Sequence, residues 1–227
     1  MGAELTSTSQ GAARRKEILH LAIDVFGEAG YAGARIDEVA RRVGIRRPSI
    51  LYHFPDKQSL YSAAVSEVVT DIVNRVLATE KLPGDRLEAI SDAWVDFVID
   101  RPNAARVLLR QMIDADPISI QSTQAPVRAL LASIQSAIGE RLELGSKKTV
   151  DATEFILILS STSLVWVASR SAIEGALGLD TLSPQSIQRH RRTLHALTRQ
   201  LLAAADEAAT APTAAQRISP TRKKTKR

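Results

Sequence analysis

The stretch Gly44-Ile-Arg-Arg-Pro-Ser-Ile-Leu-Tyr-His-Phe54 decides how this chain is read. A glycine is followed by two arginines and a proline, then by aliphatic and ring residues around a histidine. Upstream, Ile36, Val39, Ala40 and Val43 recur at helical spacing and give a short helix. Downstream of Gly44, a second short helix places Ile50, Leu51 and Phe54 on its apolar side. Neither is long enough to be stable alone. Ala40 is small enough for two helices to cross closely, and Gly44 tolerates the positive φ of a tight turn. Val39, Val43, Ile45 and Ile50 can anchor both helices in one core. These features fall in register over about 15 residues and spell a helix-turn-helix.

In such a unit the second helix enters the major groove of DNA, its first residues nearest the base edges. Arg46 and Arg47 stand at its start. Their guanidinium forks can hold phosphate or read guanine O6 and N7. Pro48 suits a first turn, where its missing N–H costs nothing. Ser49 is a small donor. One turn on, the Tyr52 hydroxyl and His53 imidazole are in reach of the backbone. Lys57 opens the next helix, whose N-terminal amides favour a phosphate beside it. Asp56 is the expected N-cap of that helix, with Leu60, Ala64, Val68, Ile72 and Val76 along its buried stripe. An earlier helix carries Ile18, Leu19, Ala22, Ile23, Phe26 and Ala29, and stops at Gly30 and Gly33. Arg14, Arg15 and Lys16 precede it, either as DNA contacts or as a solvated flank.

Taken together, "RRKEILHLAIDVFGEAGYAGARIDEVARRVGIRRPSILYHFPDKQSLYSAAV" (residues 14–65) resembles the N-terminal domain of the tetracycline-repressor (TetR) family of transcriptional regulators. The His53-Phe54, Lys57 and Leu60 pattern is the specific part. The resemblance implies an all-α fold: an N-terminal three-helix DNA-binding domain, then a larger helical domain that binds small ligands and dimerises through its last two helices. It also implies that Arg46, Arg47, Ser49, His53 and Lys57 make phosphate or base contacts. Three departures stand out. Ala34 and Arg35 occupy the place where a Ser or Thr usually caps the second helix, so that cap is lost and Arg35 is placed to reach phosphate instead. The usual tyrosine two residues before the histidine is Leu51, with Tyr52 as the candidate to replace it. The serine usual at the head of the recognition helix is Arg46.

Beyond residue 60 the text stays helical but loses its chemistry. "LPGD" at Leu82–Asp85 is a turn. Longer helices are expected at about 86–100, 102–114, 125–144, 150–175 and 184–206. Trp94, Phe97, Val98, Val107, Leu108, Met112 and Ile113 are expected to point inward. So is the stripe Val127, Leu130, Leu131, Ile134, Ile138 and Leu142. Phe155–Ala168 is apolar nearly all round but only about 14 residues long and broken by hydroxyls. A membrane span needs roughly 20, so this is a buried helix, and no membrane is expected as a partner. Trp94, Phe97, Met112, Phe155, Trp166 and Arg170 are candidate linings of a ligand pocket or plain core. The last two long helices, about 150–206, are the expected homodimer interface.

Four domains result: a flexible arm at 1–13, the helix-turn-helix domain at 14–60, an effector and dimerisation domain at 61–207, and a basic tail at 208–227. The net charge of +5 hides an asymmetry. Thr210–Arg227 carries six cations and no acid, residues 1–60 sum to +2 and residues 61–209 to −3. Basic ends and a mildly acidic middle suit a protein whose ends meet a polyanion. The chain has no cysteine, which rules out disulfides and thiolate chemistry. Its four histidines show no metal spacing, and no nucleophile elbow, phosphate loop or dinucleotide fingerprint appears. Neither catalysis, metal nor cofactor is expected. No secretory signal is present in the sequence, so a cytoplasmic, nucleoid-associated location is expected. The principal reading is a dimeric repressor released from a palindromic operator by a small molecule. The alternative is an architectural protein that coats DNA through its tail, without sequence preference.

Overall fold

A computed structural model describes residues 2–114, 117–141 and 152–210, with side chains over 10–114, 121–138 and 152–200. Its described residues are helical and form no strand. α1 spans Gly2–Gly33, α2 Ile36–Val43, α3 Arg47–His53 and α4 Lys57–Ala78. After a 3₁₀ turn at Thr79–Lys81 come α5 (Arg86–Asp100), α6 (Pro102–Asp114), α7 (Pro117–Arg141), α8 (Ala152–Ala168), α9 (Arg170–Leu177) and α10 (Pro184–Thr210). The basic tail beyond residue 210, the helix end expected near Gly145, and Leu142 lie outside the described residues.

The first three helices form where their caps and stripes require. α2 ends because Gly44 adopts φ 75°, ψ 28°, and its N–H turns back to Ala40 O and Arg41 O. A side chain there would be strained in the left-handed region. Ile45 N–H also bonds Ala40 O, at 3.0 Å. This turn aims α3 across α2, and Ile50 and Phe54 drive into the shared core while Leu51 is only half-buried. Asp56 then starts α4 with a full capping box: its carboxylate accepts from Ser59 N–H, and Ser59 Oγ accepts from Asp56 N–H. Leu60, Ala64, Val68, Ile72 and Val76 are all buried along α4.

α4 carries the helix-turn-helix unit into the rest of the molecule. It runs unbroken across residue 60, so the expected domain boundary falls inside a helix. α1 and α4 pack together, α6 lies on α1, and α7 lies along α4. The buried residues make one cluster from Ile18 to Leu194. Stability in such an arrangement comes from the shared apolar face, not from the short helices' own propensity.

Residues 2–13, expected as a flexible arm, are helical and continue α1 backwards. Three expectations need correction. Met112 and Ile113 are exposed, because the buried face of α6 is Ala104, Ala105 and Val107, with its last turn running past the core. α7 begins at Pro117 and not near 125, so Pro126 lies inside the helix. The helix expected over 150–175 is two, bent by 66° at the break between α8 and α9. Ser169, at φ −89° and ψ 11°, makes that break. Arg170 then ties α9 to the following loop through two bonds to Asp180, at 2.8 and 3.0 Å. Leu157 and Val165 leave one face of α8 exposed, so it is not buried all round. Among the described residues, no single helix is long and apolar enough to cross a membrane.

Candidate nucleic-acid interface

α3 presents one clean polar face. Arg46, Arg47, Pro48, Ser49 and Tyr52 are all exposed, while Ile50 behind them is fully buried. Tyr52 is the extreme case at 86% exposure, a phenol held out into solvent. His53 is half-buried, its ring edge-on to Tyr52 and tilted against Phe54, with centroids 5.3 and 6.5 Å apart. Packing and reach are both available to it. Arg46 is the N-cap of α3, Arg47 its first residue and Pro48 its second; no acid lies in the first turn. Cations at the positive end of a helix dipole are mildly disfavoured. α2 has the opposite, ordinary arrangement, with Asp37 and Glu38 in its first turn and Arg41 and Arg42 in its last. The reversal on α3 is relieved by an anion brought to that end.

The remaining cations fall into two groups. Arg41 and Arg42 are occupied: both hydrogen-bond Glu38, and Arg42 also forks onto Glu28 at 2.9 and 2.6 Å. The Arg41 bonds first, then those of Arg42, hold the Glu38 carboxyl down to about 2. Arg42 ties α2 to α1, and Arg41 is paired within α2. Arg35 and Arg46, by contrast, have no partner among the described residues. Arg35 is the N-cap of α2 and makes no side-chain cap, so the lost cap read from the sequence is lost in fact.

Two expected contacts already have structural partners. Arg47 Nη1 reaches Asp37 Oδ2 at 3.3 Å, both side chains more than half exposed. Such a pair contributes about 0–1 kcal/mol and yields readily to a phosphate or base. Lys57 Nζ donates to Ala32 O at 3.1 Å and sits 4.7 Å over the Tyr31 ring. An ammonium has three donors, so Lys57 can brace α1 against α4 and still meet a phosphate. Arg15 lies 4.9 Å over the Phe54 ring, on the same side of the unit as α3. Arg14 pairs with Glu17 at 2.7 Å.

The six candidate ligand residues do not converge. Trp94 and Phe97 are neighbours on α5, with centroids 6.0 Å apart, and both are buried. Phe155 is buried on α8, beside a small crevice shared with Leu194 and Leu197. Trp166 stacks flat on His190 at 4.3 Å, and Arg170 is spent on Asp180. Met112 is on the surface. Among the six, Trp94 has a buried indole N–H with no acceptor among the described residues. In the hydroxyl run of α8, Ser161 and Thr162 bond back to Ile158 O, and Ser163 Oγ meets His190 Nε2 at 3.1 Å.

The helix-turn-helix geometry has a match outside this chain. Residues 18–64 fit the family described as bacterial regulatory proteins, tetR family. This match covers the helix-turn-helix unit, which is of the tetR type. The HTH-type transcriptional regulator RutR of Escherichia coli K12 is 24% identical over 169 residues, covering 73% of this chain and 79% of RutR. The HTH-type transcriptional activator FasR of Mycolicibacterium smegmatis is 31% identical over 107 residues, 46% of this chain and 49% of FasR. Among solved structures, a tetR-family protein from Rhodococcus RHA1 superposes with a TM-score of 0.62 at 19% identity, covering 80% of this chain and 94% of that one. FadR of Bacillus subtilis, in complex with stearoyl-CoA, gives 0.60 at 15% identity, covering 87% and 99%. RutR and FasR are HTH-type transcriptional regulators, and this chain is likewise a DNA-binding regulator.

Proposed function

We propose that the protein works as a homodimeric repressor that places α3 of each copy in successive major grooves of a palindromic operator. The observation that carries this reading is the polar face of α3, where Arg46, Arg47, Ser49 and Tyr52 project from a helix anchored by Ile50 and Phe54. One seven-residue helix contacts too few base pairs for useful affinity. Two, about 34–36 Å apart, contact enough. Arg35, Lys57 and His53 act on the phosphate backbone and set the register.

The dimer is formed by α8 and α10. Leu157 and Val165 lie eight residues apart on one exposed face of α8, with Ser161 between them. Two apolar side chains with a small residue between them suit close helix approach by a second copy. A small organic molecule in the larger helical domain releases the operator by binding better to a spacing of the α3 helices that misses the half-site repeat. The buried, unsatisfied Trp94 N–H supports a polar occupant there.

Selection of bound sequences from a random DNA pool at near-physiological salt tests this reading. An enriched palindrome is expected with the full chain and with a version ending at Ala209. Arg47→Ala is expected to weaken binding to that palindrome and, at a guanine, to relax preference at one base pair by about 1–3 kcal/mol. Equal affinity of mutant and wild type for the selected site refutes the assignment of Arg47.

A further inference from the structure

We infer that a cleft between the DNA-binding unit and α6 is a binding site for a zwitterionic aromatic molecule of the aromatic amino-acid kind. The cleft has a volume of about 340 Å³ and draws its walls from three helices. The end of α1 supplies Gly30 and Tyr31, the first turns of α4 supply Gln58 and Tyr61, and the end of α6 supplies Arg110 and Asp114. Its size is at the lower end of the ~300–1,000 Å³ usual for small-ligand pockets. The inference adds a site and a ligand chemistry to the proposed release of DNA and depends on that reading only for its regulatory consequence.

Three observations converge on the chemistry. Tyr31 and Tyr61 have rings 5.0 Å apart and tilted by 59°; Tyr61 is buried, Tyr31 is partly exposed with Lys57 Nζ 4.7 Å over its ring, and the exposed part of Tyr31 is the aromatic surface left for a third ring. Arg110 and Asp114 are one turn apart on the same face of α6, both exposed, and neither is paired with any described residue. The Arg110 guanidinium is seated against the α1 backbone where Gly30 has no side chain; a Cβ at that position would lie 1.9 Å from Nη1. Gly30 has φ 70°, so the chain's bend and the seat for the cation come from the same residue.

Charge complementarity then selects among occupants. A simple anion drawn to Arg110 meets Asp114 beside it, and a simple cation drawn to Asp114 meets Arg110. A carboxylate and an ammonium on one small molecule satisfy both, while its ring lies on the tyrosines and Gln58 offers an amide at the rim. An occupant of this kind bridges α6 to α1 and α4, the junction through which the larger domain holds the DNA-binding unit.

Calorimetric titration of the full-length chain, without DNA, decides the matter. The probes are L-phenylalanine, phenethylamine (no carboxylate) and 3-phenylpropionate (no ammonium). Phenylalanine is expected to bind saturably at one site per chain, and each one-ended analogue about tenfold more weakly or worse. Arg110→Met is expected to abolish the advantage over phenethylamine, and Asp114→Asn the advantage over 3-phenylpropionate. Both residues are exposed and unpaired, so circular dichroism of the variants should match wild type. The inference is overturned by absence of saturable phenylalanine binding, by equal binding of the three probes, or by variants that leave both advantages intact. Since no DNA is present, these outcomes are independent of whether a palindrome is enriched.

Discussion

Gly27 sits one turn before the kink of α1 at Gly30, buried where that helix crosses α6. A Cβ added there would lie 2.6 Å from Asn103 Cβ, 2.6 Å from Asn103 O and 2.8 Å from Asn103 Cα. Carbon atoms in contact rest about 3.5–4.0 Å apart, so Gly27→Ala demands that α6 retreat by about 1 Å at this point. The obstructing atoms belong to the α6 backbone and its first side-chain carbon, and no rotamer change clears them. The retreat also stretches the bond from Asn103 Nδ2 to Asp24 Oδ1, now 3.1 Å. Overpacking costs about 1–3 kcal/mol, and rigid obstruction places this case near the top. Alanine returns about 1 kcal/mol of helix propensity over glycine. The expected net loss is about 2 kcal/mol, which in a chain of this size lowers Tm by about 4–8 °C.

Gly11→Ala is the matched control. It lies in the same helix, and a Cβ there meets nothing within 4 Å, so only the favourable propensity term remains. Thermal denaturation followed at 222 nm is expected to put Gly27→Ala clearly below wild type and Gly11→Ala at or slightly above it. A Gly27→Ala protein that melts with or above wild type would show that α1 and α6 are not tightly apposed, and would refute the reasoning.

Two further outcomes are expected. Asp37→Asn releases Arg47 from its exposed pair at 3.3 Å and removes a negative charge from beside the DNA-facing helix; fluorescence anisotropy on the selected operator should show ~2–5-fold tighter binding, and weaker binding would contradict the placement of Arg47. His190 is held below its ordinary imidazole value by burial first and by Arg191 second, so the folded protein takes up fewer protons than the unfolded chain. That contribution to stability is fully present above about pH 6.5 and is lost as the pH falls below it; melting temperatures from pH 7.5 to 5.5 should drop less steeply in His190→Gln than in wild type, and parallel slopes would refute the effect.

Much of the first unit was legible because its determinants are local. A period of 3.6 exposes the α4 stripe from Leu60 to Val76, and Asp56 three residues before Ser59 spells a capping box that the backbone then makes. Gly44 is required by a φ that only its immediate neighbours set. What escaped depends on a second helix. The Gly27 crossing is invisible in α1 alone, because the reason for the glycine is the backbone of Asn103, 76 residues on. The Arg47–Asp37 pair spans two helices, and the bend after α8 rests on Arg170 finding Asp180. Met112 and Ile113 had the period of a buried stripe, but their turn overruns the core that would have covered them. The six candidate pocket residues do not meet in one place for a related reason: large apolar residues on α5, α6 and α8 look alike from the sequence whether they line a cavity or fill it.

The residues proposed to carry function are legible where the chain departs from what folding alone favours. Nothing in the packing of α3 asks for Arg46 and Arg47 at its positive end, and the helix dipole argues mildly against them. α2, one turn away, obeys the rule with acids first and bases last, and its arginines are consumed by Glu28 and Glu38. The same logic applies to Tyr52, a large ring left almost wholly in water two residues before the buried ring of Phe54. A surface that keeps one arginine without a described partner, a second held only in an exposed pair with Asp37, and an exposed phenol on one face is under-satisfied as a folded structure. A polyanion supplies what it lacks. The long helices of the larger domain satisfy nearly every local rule, with Trp94 N–H a rare exception, and that is why their sequence says so little about what they bind.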